Sequence, residues 1–514
     1  MISSQPAVTL SPSNPLPRFA NSSVFSTFVF IRNFWVRIAA ISAAMIFPCI
    51  WHRHIEAGDL ASHVYNAWLA QLIEKGQAPG LYFFPQRNNV LFDLALWKLG
   101  NWVGLPLAEK IAVAACVLIF FWGVFSLLHT VTGRAPWLLS PAIAMLAYGY
   151  AFNMGFFNYY LSIGLASIAL ALLRRALGPE QGHTADGLLS GLFLPLTILA
   201  HPLGFLWMVG TVVYKTLTNR LVGWWRLLVP AAAISFITTL RWYIAHRPEY
   251  QADWPSEPFF LFNGADQLAL YSGRYLFLAL AAFLIGVLFF ILSLFLRGRE
   301  LFGLRSLRLA AELYFVSFAV TSLLPQNLRP LPDGAWIGLL VFRLTLIPGI
   351  FGLCVLGSLP PRKWAFAAFA SVAALFFFFL YQDTARLNRL EANAEALVRN
   401  LPPGTRVLST IFASPESRIS FIGHVADRAC IGHCFSYGNY EPSSGQFRVR
   451  VHPGSPVVTA SSDDTEDMAA GAYAVQEEDL PLKEIYQCDG TDLTRLCIRD
   501  LAAGEMNGQF GYHP

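Results

Sequence analysis

The side chains best suited to chemistry gather in one short stretch, His54-Ile55-Glu56-Ala57-Gly58-Asp59, with His63 a few residues on. Carboxylates beside an imidazole are the residue types that move protons near neutral pH. Leu60, Val64, Ala67, Trp68, Leu72 and Ile73 then recur at helical spacing, so an amphipathic helix is expected over Leu60–Lys75. Gly76 stops it, with Pro79 close behind. Asp59 falls at the N-cap and His63 one turn later on the same face. Capping and chemistry can coexist at Asp59. A second candidate is Arg343, inside the apolar run Leu339-Leu340-Val341-Phe342-Arg343-Leu344-Thr345. An arginine there is costly unless paired or wet, so it either grips a phosphate or pairs with a carboxylate from another span.

The elements that must position these groups follow from composition. Of 514 residues, 55% are hydrophobic and only 13% charged, and Phe alone occurs 42 times. Soluble domains carry about 25% charged residues. A soluble enzyme, a disordered chain, a coiled coil and a nucleic-acid binder are therefore excluded in favour of an α-helical polytopic membrane protein. Residues 1–33, rich in Ser, Pro and Asn, read as a disordered cytoplasmic tail. Residues 34–381 hold the membrane domain and residues 382–514 a polar tail. That tail carries 11 Lys/Arg against 18 Asp/Glu, whereas the chain before it carries 25 against 14.

Apolar runs lie at Phe34–Trp51, Ile111–Val131, Trp137–Tyr150, Tyr159–Leu173, Leu188–Ala200, Pro202–Leu217, Leu227–Ile244, Tyr275–Leu296, Leu309–Leu324, Trp336–Leu356 and Trp364–Tyr381. They give about eleven expected spans, with one kinked helix as the alternative to two at His201-Pro202. With eleven spans, Arg32, Arg37, Arg134, Arg174, Arg175, Lys215, Arg220, Arg226, Arg297, Arg299, Arg305, Arg308, Arg362 and Lys363 all fall on one side. The positive-inside rule makes that side cytoplasmic. The chain is thus expected in the cytoplasmic (inner) membrane, N-terminus inside and the tail outside. The first span lacks a small-residue cleavage site and reads as an uncleaved anchor.

On this topology residues 52–110 form a large first outer loop, too long for a connector. The expected helix after Asp59 lies in the membrane interface, and the aromatic, Pro-punctuated stretch Pro79–Gln86 follows it. An acidic residue just outside the first span, then an interfacial helix ending near a glycine, resembles the membrane glycosyltransferases of the C superfamily. The resemblance extends to the topology and the outer tail. Here, however, Glu56 and Asp59 are separated by Ala57-Gly58, whereas the family's acidic pair is adjacent.

The resemblance implies inverting transfer of a sugar from a polyprenyl-phosphate donor to a glycan, lipid or protein acceptor, as in mannosyl- or arabinosyltransferases. Such a reaction needs a base for the acceptor hydroxyl. Asp59 is the choice, with Glu56 and His63 as helpers, and Arg343 is the candidate for the donor phosphate. Further candidates carry plainer alternatives. Arg241, in Thr238-Thr239-Leu240-Arg241-Trp242-Tyr243, is equally explained by snorkelling. His201 lines the site or is a hydrogen-bonded structural residue. Asn158 and Tyr159, in the polar turn from Phe152, contact sugar hydroxyls or satisfy helix ends.

Four of the seven cysteines, Cys430, Cys434, Cys488 and Cys497, lie in the tail, which suggests two disulfides in an oxidising compartment. Cys430–Cys434 with Cys488–Cys497 is the simplest of three connectivities. His424 and His433 offer a metal alternative, but the spacing matches no zinc pattern. No tightly bound cofactor is expected; a divalent metal is compatible with the reading but not indicated. A helix near Arg386–Asn400 and strands at Arg406–Phe412, Gln446–Val451, Tyr473–Gln476 and Leu496–Ile498 suggest an α/β or α+β tail domain. Tyr437, Tyr440 and Glu441 are loop residues that could meet an acceptor sugar. A transporter or flippase of lipid-linked glycans and a non-catalytic membrane protein with a sensor domain are the other function classes. The absence of a visible internal repeat argues against the first, and the intramembrane arginine against the second.

Overall fold

The computed structural model describes residues 22–177, 184–258, 261–302, 304–331, 337–412, 416–419, 422–489, 492 and 494–509. Helix α1 (Ser22–Ile46) begins inside the segment expected to lack structure. The first outer loop holds α2 (Leu60–Glu74), strand β1 (Leu81–Phe83) and α3 (Leu91–Val103). Then come α4 (Leu105–Thr132), α5 (Ser140–Ala147), the single turn α6 (Tyr150–Asn153), α7 (Phe157–Ala176), α8 (Thr184–Ala200), α9 (Pro202–Arg220) and α10 (Leu228–Ala245). Strand β2 (Tyr250–Asp253) precedes α11 (Gly273–Phe302) and α12 (Arg305–Leu323); β3 (Asn327–Pro330) pairs antiparallel with β2. Helices α13 (Leu340–Leu344), α14 (Leu346–Ser358) and α15 (Lys363–Val398) complete the membrane domain.

Among the described residues, seven helical segments are long and apolar enough to cross a membrane: Leu105–Thr132, Phe157–Ala176, Gly223–Ala245, Gly273–Gly298, Arg305–Leu323, Leu340–Ser358 and Lys363–Val398. Asn33–Cys49 and Thr184–Ala200 are shorter apolar helices. Phe236, Phe277, Phe295 and Phe315 stand exposed on the spans, as lipid-facing residues do. The run Trp137–Tyr150 departs from expectation, because it forms a short 3-10 turn and then α5 before breaking at Tyr148-Gly149. An eight-residue helix rises about 12 Å, less than half of a hydrocarbon core of ~30 Å. At His201 the backbone is extended (φ −165°, ψ 136°), so α8 and α9 are separate helices. A residue before proline is pushed to that region.

The tail grows directly out of the last span, since α15 runs unbroken past residue 382 to Val398 and includes most of the separate helix expected there. It adds β4 (Arg406–Thr410), α16 (Val425–Cys430), β5 (Phe435–Ser436), α17 (Tyr440–Ser444), β6 (Val449–Val451), α18 (Ser462–Ala470), β7 (Leu482–Gln487) and β8 (Leu496–Leu501). The sheet order is β5-β4-β7-β8, parallel except for the β7–β8 pair. Strand β7 lacks an apolar signature because Lys483 and Glu484 interrupt it. Glu484 is nevertheless buried, held 2.6 Å from Arg499 on β8. Cys430 is joined to Cys434 and Cys488 to Cys497.

Body and tail interlock. Strand β1 of the first loop pairs antiparallel with β6 of the tail, Leu81 opposite Val451 and Phe83 opposite Val449. Helix α2 is not an open interfacial helix as expected. Ten of its fifteen residues are buried, packed against α3, α4 and α16, so its polar face is covered as well as its apolar one. A second tie is Arg428 on α16. Its guanidinium reaches Glu109 of α4 at 2.6 Å, Glu391 of α15 at 2.9 Å and the Ile55 carbonyl at 3.2 Å. One buried cation thereby joins the first loop, a span, the last helix and the tail.

Candidate functional site

Asp59 is placed by its backbone. The amides of Gly58 and Asp59 donate to the carbonyls of Asn153 and Met154 at 2.7 and 3.0 Å. Two glycines permit that approach: a Cβ on Gly58 would meet Met154 O at 2.4 Å, and one on Gly155 (φ +79°) would meet the Asp59 amide nitrogen at 2.5 Å. Asp59 stands at the N-cap of α2, but its side chain makes no capping hydrogen bond. The capping explanation therefore does not account for the carboxylate, which remains 22% exposed.

Arg343 lies across from it on α13. Its backbone is pinned by side chains, because Tyr159 Oη donates to the Arg343 carbonyl at 2.9 Å and Gln267 Nε2 to the Phe342 carbonyl at 2.7 Å. The guanidinium sits over the Phe156 ring, 4.0 Å from its centroid. Among the described residues it makes no ion pair, and its buried Nε has no hydrogen-bond partner. Asp59, Tyr440, Tyr150 and Tyr159 are near enough to act on it electrostatically. His201 joins the same wall: its Nδ1 accepts from the Leu203 amide at 3.1 Å, and its ring meets Tyr159 edge-on. His201 is thus the N-cap of α9, near enough to Arg343 to feel its charge.

The tail closes the opposite side. His424 Nε2 is 3.7 Å from Asp59 Oδ1, and its Nδ1 is 2.8 Å from Asp427 Oδ2. Asp427 is buried and accepts from Asn439 Nδ2 at 3.0 Å. Tyr440, in ring contact with His424, lies close enough to Asp59 and Arg343 to feel both charges. Nearby, His63 Nδ1 is 2.7 Å from Asp93 Oδ1 and 3.7 Å from Glu441. Burial disfavours the charged ring, but Asp93, then Glu441 and Asp59, outweigh it and push His63 up to about 10. Burial raises Glu441 to about 7 against the pull of His63. Asn158 Nδ2 donates to Asp93 at 2.8 Å, and Ser62 to Glu441 at 2.9 Å. His63 and Asn158 therefore meet at Asp93, with His63 near enough to Asp59 to feel its charge.

Two expected members lie elsewhere. Glu56 is buried away from this site, accepting from Asn388 at 2.7 Å among Arg428, Glu391 and Glu109. Burial and the neighbouring Glu391 hold its pKa well above the carboxylate range, so it is a structural acid of the tie between body and tail. Arg241 stacks on Trp254, 4.0 Å to the ring centroid, and donates to the Leu323 carbonyl at 3.3 Å. The sequence offers His424 only as part of the metal alternative and does not single out Asp427; the available signal is their three-residue spacing at the head of α16. Asp93 carried none, since it belongs to a helix the sequence pattern did not reveal. The metal alternative loses its thiols to the Cys430–Cys434 bond, while His433 Nε2 is 2.7 Å from the Leu401 carbonyl.

No protein-family model and no curated protein matches this chain. Among solved structures, it is similar to the crystal structure of ArnT from Cupriavidus metallidurans in the apo state. The two are 12% identical, over 89% of this chain and 93% of that one, with a TM-score of 0.49. The crystal structure of ArnT from the same organism bound to undecaprenyl phosphate is 14% identical, over 78% of this chain and 85% of that one, with a TM-score of 0.48.

Proposed function

We propose that this polytopic membrane protein is a glycosyltransferase that moves a sugar from a polyprenyl-phosphate donor to a hydroxyl of a glycan, lipid or protein acceptor. The reaction is assigned to the outer face of the cytoplasmic membrane, following the distribution of basic loops. One observation carries the reading: an Asp59 carboxylate free of any capping bond shares a site with an Arg343 guanidinium that makes no ion pair among the described residues and whose buried Nε has no hydrogen-bond partner there. A half-buried cation that makes no ion pair among the described residues attracts an anion, and a helix at the start of an apolar span suits an anion carried on a lipid.

The chemistry divides between the two groups. Asp59 takes the acceptor proton as the acceptor oxygen bonds to the anomeric carbon. The bond from that carbon to the phosphate oxygen breaks, and its electron pair leaves on the lipid phosphate, whose charge Arg343 balances. The lipid product stays in the membrane. Purified protein in liposomes, given a radiolabelled polyprenyl-phosphate sugar and a cell-envelope acceptor fraction, should release polyprenyl phosphate and label the acceptor. Failure to bind or consume any such donor would remove the reading.

A further inference from the structure

A partly exposed carboxylate and a half-buried guanidinium in one site would ordinarily close on each other. Here they do not. The ionisable group paired with Asp59 among the described residues is instead His424, supplied by the tail, 3.7 Å from its Oδ1. The imidazole is built into place: Nδ1 is held 2.8 Å from Asp427, Asn439 supports Asp427 at 3.0 Å, and the Tyr440 ring packs at 5.4 Å. The groups facing His424 are Asp427 on its own helix, Asp59 ahead of α2, and Tyr440 with Glu441 on α17. Burial opposes charge on the ring. The hydrogen bond to Asp427 and the carboxylates of Asp427, Asp59 and Glu441 outweigh it and raise the pKa above its ordinary value.

Building on the glycosyltransferase reading, we propose that His424 is a positioning residue which engages the Asp59 carboxylate and so leaves Arg343 free for the donor phosphate. The C-terminal domain thereby takes part in donor binding without touching the donor. Removing the imidazole lets Asp59 swing to Arg343 and compete with the lipid phosphate. Removing the Asp59 carboxylate as well abolishes the competition.

Two measurements on the full-length protein in detergent test this. The first needs no substrate. Diethyl pyrocarbonate acylates neutral imidazole, so the pH dependence of His424 modification, read by mass spectrometry, reports its protonation. Asp59→Asn and Asp427→Asn should each shift that profile to lower pH, by about one unit for Asp59→Asn. An unchanged profile in Asp59→Asn would overturn the proposal. The second measures binding of undecaprenyl phosphate. His424→Gln should weaken it about tenfold, the equivalent of one pK unit of coupling. The double variant His424→Gln/Asp59→Asn should bind as well as Asp59→Asn alone. Wild-type affinity in His424→Gln, or no rescue in the double variant, would refute the positioning role. A wild-type protein that ignores undecaprenyl phosphate altogether would instead sink the functional reading, while the acylation profiles still decide whether Asp59 engages His424.

Discussion

Asparagine at position 59 keeps the shape of the aspartate and removes its basicity, and the structure sets what each role predicts. A capping side chain is worth about 1 kcal/mol, but Asp59 caps no amide. Its ion-pair contact among the described residues, to His424 at 3.7 Å with the carboxylate 22% exposed, is worth about 1 kcal/mol. The backbone bonds from Gly58 and Asp59 to the Asn153–Met154 turn are untouched by the change. Expression and thermal midpoint should therefore stay close to wild type. The barrier is another matter, because general-base catalysis contributes about 10²–10⁴-fold, or about 3–5 kcal/mol. Sugar transfer by purified Asp59→Asn should fall by at least about a hundredfold while undecaprenyl phosphate still binds. Near-normal transfer in a well-folded variant would refute Asp59 as the base and with it most of the case for this mechanism.

Arg343→Met should lose lipid-phosphate binding first, because the phosphate loses its counter-charge; unchanged affinity in a binding titration would place the phosphate elsewhere. Gly155→Ala should lower both thermal midpoint and transfer, since its Cβ would stand 2.5 Å from the Asp59 amide at a φ of +79°. His63 is raised from 6.5 to about 10, so its pairing contributes fully below pH 6.5 and is lost as pH climbs through about 10. A melting series from pH 7 to 10.5 should show that decline in wild type and a flatter one in Asp93→Asn. Alkylation of unfolded, unreduced protein should label Cys49, Cys116 and Cys354, with the four tail cysteines labelled only after reduction.

What sequence could reveal here follows from how each feature is encoded. Long apolar runs and the helix after Asp59 are written in periodicity, so their existence was legible, as was the pairing of neighbouring tail cysteines. Burial of α2 was not, because its polar face is covered by tail residues hundreds of positions away. The same distance hid His424, which comes within 3.7 Å of Asp59 only where the tail folds back on the first loop. Glu56 failed for the opposite reason. Its nearness to Asp59 in sequence suggested a pair, yet the Ala57-Gly58 link turns the two carboxylates into different clusters. Arg343 was legible because an arginine in an apolar run demands an explanation. Its lack of an ion partner among the described residues is information that only the fold supplies.

The pairing of β1 with β6 places Leu81 opposite Val451, and that has a consequence for biosynthesis. Asp59 and its helix leave the ribosome early, whereas the strand and the histidine that complete their surroundings come after the last span. Closing so long a loop is a late step in folding. The nascent chain therefore carries Asp59 in unfinished surroundings throughout membrane insertion. A truncated product that stops before the tail would leave the unpaired edge of β1 and the covered face of α2 open to quality control.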